Sequence, residues 1–139
     1  MIYSHWTLMP WEQGRWPDFL PSEFSSPDNG QVYYWPDFFD RLQRARTEIN
    51  RPVRINSAHR SWRHNLAVGG APKSQHRKLA VDIALCGHDR FALATACKAA
   101  GFTGFGYYQT FLHVDLGRPR FWFGGAVSKR IWAEKDIGQ

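Results

Sequence analysis

Two short segments share one alternation, and it limits what the chain can fold into. In residues 79–85, Leu79, Val81, Ile83 and Leu85 fall on one side of an extended strand, with Ala80, Asp82 and Ala84 on the other. In residues 111–116, Leu112, Val114 and Leu116 share a face, and Phe111, His113 and Asp115 share the opposite one. Each segment therefore has a core face and a face that carries ionisable groups. A carboxylate flanked by alanines in an apolar strand is costly to bury unless it is paired or bound to a metal. If both strands join one sheet, Asp82 and His113 lie on the same side of it. His76 stands in a loop six residues before Asp82, close enough to fold its ring over the start of the strand. Two histidines and an aspartate form a three-ligand zinc set that leaves the fourth position for water. The same residues admit a second reading, in which Asp82 pairs with an arginine and His113 with Asp115.

The rest of the chain supplies helices for the core faces. Pro36 and Asp37 open a helix whose stripe is Phe38, Leu42, Ala45 and Ile49, and Arg51 and Pro52 stop it. Residues 53–56 alternate like a short strand. A second helix is expected over residues 61–68, closed by Gly69 and Gly70. Residues 71–77 read as loop. Asp89 can cap a third helix running through Phe91, Ala94 and Lys98 to Gly101. Residues 105–123 read as two or three short strands, with turns near Gln109 and near Gly117. The expected fold is α+β, an antiparallel sheet with helices packed on one side. It is expected as a single domain over residues 1–139. Residues 1–36, with five prolines and four of the seven tryptophans, form an irregular aromatic-rich arm. Residues 37–123 form the core, and residues 124–139 a C-terminal tail.

Composition narrows the function classes. The balance of 18 Lys+Arg against 12 Asp+Glu gives a net charge of +6, which attracts polyanions such as nucleic acid, anionic lipid or wall polymer. The basic residues between Arg60 and Lys78 are interleaved with histidines and glycines, as at the rim of a site. No stacking-rich basic motif supports nucleic-acid binding, so none is expected. No apolar run approaches the roughly 18 residues that span a bilayer, and no membrane insertion is expected. The first six residues have no basic start and no apolar run, so no secretory signal is read there. Aromatic residues make up 16% of the chain, enough for a core with rings left for a groove. Cys86 and Cys97 form no CxxC pair; a buried free thiol at Cys97 is expected, and one bridge between the two is the alternative.

Several ordered motifs then carry a resemblance. They are Ile55-Asn56-Ser57-Ala58-His59-Arg60-Ser61, His64-Asn65, Val68-Gly69-Gly70-Ala71, Ser74-Gln75-His76, Ala80-Val81-Asp82-Ile83, and Phe111-Leu112-His113-Val114-Asp115-Leu116-Gly117. The series, spanning about residues 20–123, resembles the zinc D-Ala-D-Ala carboxypeptidase family of peptidoglycan peptidases. It is most similar to the small branch ending in an H-V-D strand, which includes murein endopeptidases and phage-borne endolysins. That fold is shared with lysostaphin-type peptidases and the hedgehog signalling domain.

The resemblance implies hydrolysis of amide bonds in cell-wall peptides, with one Zn²⁺ held by His76, Asp82 and His113. It implies that Arg60 reads a substrate carboxylate or steadies an oxyanion, and that Ser74 braces the His76 loop. Tyr107, Tyr108 and Trp122 either line the groove or pack in the core, and Tyr107 joins Arg60 and Ser74 in the expected substrate-binding set. The family spacing from the first histidine to the aspartate is seven steps with a glycine between; here it is six with none, so the loop is expected to be tighter. Many members carry an acid three residues before the last histidine, where this chain has Thr110. Asp115 is then the nearest acid, as general base or as the partner that orients His113, and the base role is preferred. His59, where the family often has Tyr, either contacts substrate or packs. The expected partner is a peptidoglycan peptide, the expected state a monomer, and a phage-encoded or virion-associated origin would fit an enzyme acting on the wall. The alternatives are a non-catalytic relative that keeps the zinc site and a basic cell-wall-binding module.

Overall fold

The computed structural model describes residues 1–71 and 73–133. The chain begins with strand β1 (Ile2–Tyr3), which pairs antiparallel with β2 (Val32–Tyr33). Between them, Trp16, Phe19 and Phe24 turn inward and are fully buried. Trp16 and Phe24 pack on Phe39 of helix α1 (Pro36–Ile49), with ring centroids 5.0 and 4.8 Å from it, and Phe19 packs on Phe24 at 5.7 Å. The Trp16 indole N–H donates to Asp40 at 2.8 Å. The N-terminal arm, which contributes only short elements, thus forms a wall of the core.

Helix α1 starts on Pro36, whose fixed φ suits the first turn. It ends at Asn50, which takes the left-handed conformation at φ 51° and returns its N–H to Arg46. Its buried face is Phe38, Phe39, Leu42 and Ala45. Strand β3 (Ile55–Ser57), helix α2 (Trp62–Ala67) and strand β4 (Ala80–Ala84) follow. Strand β3 begins two residues later than its alternation suggested, because Val53 instead buries its side chain in the core. Ser61 caps α2 by accepting the His64 N–H. Helix α3 (Arg90–Ala99) is capped by Asp89, which accepts from Phe91 and Ala92 at 2.9 and 3.0 Å. Strands β5 (Gly104–Tyr107), β6 (Phe111–Asp115) and β7 (Arg120–Phe123) and helix α4 (Ala126–Trp132) complete the described chain.

The main sheet has the order β3-β4-β6-β5-β7. Its neighbours are antiparallel except for the last: β7 runs parallel to β5, a departure from the all-antiparallel expectation. Val81, Ile83, Phe105, Tyr107, Leu112 and Val114 form the core face, against which α3 packs, with α1 against α3. The C-terminal tail carries helix α4, whose Trp132 is fully buried, 4.8 Å from the Tyr107 ring. Residues 134–139 of that tail lie outside the described residues. The structure is α+β, with the helices α1, α3 and α4 on the core side of the sheet. Among the described residues, no helix is long and apolar enough to cross a membrane. Cys97 is a buried free thiol whose pKa burial raises to about 12, and Cys86 is exposed and unbridged.

Candidate metal centre

Register places the first two side chains. Asp82 of β4 lies directly opposite His113 of β6, and Ala80 opposite Asp115. Both acids and the imidazole therefore share the sheet face away from the core. The third group arrives from the loop before β4. Ser74 caps a short 3₁₀ turn, Gln75–Arg77, and its hydroxyl accepts the His76 N–H at 3.2 Å. The His76 carbonyl accepts the Arg60 N–H at 2.5 Å, which straps the loop to the segment after β3. This turn absorbs the short six-residue interval, and His76 Nε2 lies 3.1 Å from Asp82 Oδ1.

Proton bookkeeping shows what this cluster lacks. His76 Nδ1–H donates to the Ala58 carbonyl, an acceptor only, so Nε2 keeps its lone pair when the ring is neutral. His113 Nε2–H donates to the Asp115 carboxylate at 2.7 Å, so Nδ1 keeps its lone pair. Those two lone pairs point at Asp82 Oδ1, 3.1 and 3.0 Å away. Three electron-pair donors within 4.8 Å of one another, all buried, require a cation between them, either a proton or a metal. Burial pushes the Asp82 carboxyl up, and His113 and His76 more than reverse that, holding it well below the usual carboxylate range. For His113, burial lowers the pKa, and Asp115 and Asp82 together raise it above its ordinary 6.5. The neutral-imidazole and carboxylate donor set fits zinc, with the other nitrogen of each imidazole held by a hydrogen-bond acceptor.

Asp115 has no exposed surface. Besides His113, it accepts the Gly117 N–H at 2.9 Å and both Arg120 amino groups, at 2.6 and 2.8 Å. Burial raises its pKa, while His113, Arg120 and the Gly117 N–H hold it well below the carboxylate range. This corrects the preferred base role. Both oxygens are engaged and the side chain does not line the cavity, so Asp115 orients His113. Gly104 faces it on β5; a Cβ there would meet Asp115 Oδ1 and Arg120 Nη1 at 2.0 Å.

The three donors open into a cavity of about 750 Å³. Arg60 lines it, with Nη2 3.9 Å from Asp82 Oδ2 and Nη1 donating to Asn65 at 3.4 Å. Ser74, Tyr108 and Trp122 also line it, with Lys73, Arg118 and Arg120 as further cations. Among the described lining residues, Asp82 is the sole carboxylate. Tyr107 is not in the cavity: alternation along β5 turns it to the core, where it is fully buried. His59 packs rather than facing the site, its Nδ1–H donating to the Lys78 carbonyl. Sequence reasoning missed Asn65 as the Arg60 partner and Arg120 as the Asp115 partner. An arginine near an expected buried acid was the available signal for the second.

The sequence model of the Peptidase M15 family matches residues 22–115, which include His76, Asp82 and His113. No curated protein matches the chain.

Proposed function

The chain belongs to the Peptidase M15 family, whose members are zinc-dependent metallopeptidases, and on that premise we propose that it hydrolyses amide bonds in the peptides of bacterial peptidoglycan. The observation that carries this reading is the convergence of His76 Nε2, Asp82 Oδ1 and His113 Nδ1 at the floor of a cationic cavity. These three atoms would hold one zinc ion. Zinc in such a site supplies water activation near neutral pH and Lewis acidity toward a carbonyl oxygen.

The chain's own groups divide the remaining work. Asp115 and the Ala58 carbonyl fix the two imidazole planes and their tautomers. Arg60, steadied by Asn65, offers a guanidinium fork beside Asp82 for a substrate carboxylate. Lys73 and Arg118 make no ion pair among the described residues, which suits a peptide carrying more than one carboxylate. Arg60 favours release of a terminal D-Ala, the carboxypeptidase reaction, over cleavage within a cross-link.

The test has two parts. Purified protein is assayed for metal, with His76→Ala alongside; stoichiometric zinc in the wild type, lost in the variant, is the expected result. The zinc-loaded protein is then incubated with purified peptidoglycan and the released fragments are identified by mass. Free D-Ala marks a carboxypeptidase, and shortened or uncross-linked peptides mark an endopeptidase. Zinc without any release would leave a non-catalytic wall-binding relative as the better reading.

A further inference from the structure

The cavity wall contains a pair of aromatic residues, Tyr108 and Trp122, that the zinc reading does not use. His113 on β6, Gly106 on β5 and Trp122 on β7 stand in register across three strands. Gly106 leaves space above β5: a Cβ there would lie 2.6 Å from Trp122 Cζ2 and 2.9 Å from Tyr108 Cε2. Trp122 therefore lies over the strand, its ring centroid 5.0 Å from that of His113. Its indole N–H donates to the Tyr108 hydroxyl oxygen at 2.9 Å. The Tyr108 ring stacks on Phe111 at 4.2 Å and 13°, and Gly124 lets it settle, since a Cβ there would lie 2.2 Å from Cδ1. The Tyr108 carbonyl is held in turn by the Trp132 indole N–H at 2.9 Å.

This arrangement dictates where the Tyr108 proton points. An indole nitrogen can only donate, so the phenol oxygen accepts from Trp122 and its own O–H must aim elsewhere. Among the described residues that O–H has no acceptor, and Tyr108 lines the same cavity as His113. The cavity also lacks a free carboxylate among its described lining residues, so stabilisation of charge on the substrate becomes more important there.

We propose that Tyr108 is a catalytic residue whose hydroxyl donates a hydrogen bond to the scissile carbonyl oxygen as that oxygen gains negative charge, with Trp122 as its positioning residue. The proposal rests on the hydrolase reading above. No bond to Tyr108 forms or breaks, and its proton stays on the phenol. The donor is oriented before substrate arrives, so it strengthens where charge develops.

The experiment compares zinc-loaded wild type, Tyr108→Phe and Trp122→Phe on soluble peptidoglycan fragments that the wild type cleaves. Zinc content and melting temperature are measured in parallel, with the affinity of a phosphinate dipeptide isostere. The Tyr108→Phe protein should keep its zinc and its melting temperature, because stacking on Phe111 is retained. Its kcat should fall about 10²-fold with KM near the wild-type value. Phosphinate affinity should fall by a similar factor, as expected for a contact made in the transition state. Trp122→Phe should lower kcat less, in the same direction, with KM unchanged. Wild-type kcat in Tyr108→Phe, or a change confined to KM, would overturn the assignment while leaving the hydrolase reading intact. A wild type that cleaves no fragment would overturn both.

Discussion

His113 is held at both ring nitrogens, and that single residue shows how the centre is tuned. Nε2 is committed to Asp115, which is itself locked by Arg120 and Gly117. Replacing Asp115 with Asn leaves the shape but removes the charge opposite Arg120. The expected cost is about 3 kcal/mol, read as a lower melting temperature, because a cation loses its buried partner. Zinc affinity should also weaken by about 10- to 100-fold, since His113 loses its orienting acceptor. Unchanged affinity in a chelator competition would remove Asp115 from that role. The pH dependence follows from the same contacts. The raised pKa of His113 means that zinc must displace a proton from it at pH values where an ordinary imidazole has already lost its own. Zinc affinity should therefore rise with pH through and above 6.5; a flat profile from slightly acid to slightly alkaline buffer would contradict this. In the metal-free protein the sign for stability is the reverse. The His113 contribution is full below its ordinary 6.5 and is lost as pH rises through the raised value. The Asp82 and Asp115 contributions are present above their ordinary 3.8 and are lost as pH falls through the depressed values. Metal-free protein should thus melt highest between roughly pH 4 and 6.5.

At the level of elements, the β4–β6 pair does the placing. Alternation put Asp82 on the non-core face of its strand and His113 and Asp115 on that of theirs; the sheet then joined the two faces, and the antiparallel register set Asp82 opposite His113. The helix spans were also readable, because punctuating residues bounded them: Pro36 and Arg51-Pro52 for α1, Gly69-Gly70 for the end of α2, Asp89 and Gly101 for α3; the left-handed Asn50 and the Ser61 cap emerged only in the fold. Strand β7 was not readable as a parallel partner of β5, because strand direction depends on how the chain returns and leaves no local mark. Helix α4 is short, and its value lies in Trp132, which fills the core beneath Tyr107 and holds the Tyr108 carbonyl. Trp132→Ala should cost about 3–5 kcal/mol, measured by chemical denaturation. It should also slow turnover in the surviving folded protein, since Tyr108 loses an anchor; full stability would show that α4 is dispensable.

Across the whole molecule, the N-terminal arm and the sheet form one continuous core. Trp16, Phe19 and Phe24 are as deeply buried as the residues of α1 and α3. Deleting residues 1–35 should therefore abolish cooperative unfolding, checked by thermal denaturation; a truncated chain with a sharp transition would show that the arm is an accessory. Part of the basic surplus found its place at this scale too: Arg60, Lys73, Arg118 and Arg120 surround a cavity with one lining carboxylate among the described residues. The fold class and the three donors were legible in the linear chain. Alternation is a local property, and a carboxylate or imidazole facing away from a core strand announces itself through the cost of burying it. The proton positions of His76 and His113, the locking of Asp115, the inward turn of Tyr107 and the Trp122–Tyr108 pair were not legible. Each depends on which distant carbonyl, guanidinium or ring the folded chain brings within about 3 Å, the range of a hydrogen bond, and no spacing along the chain encodes that.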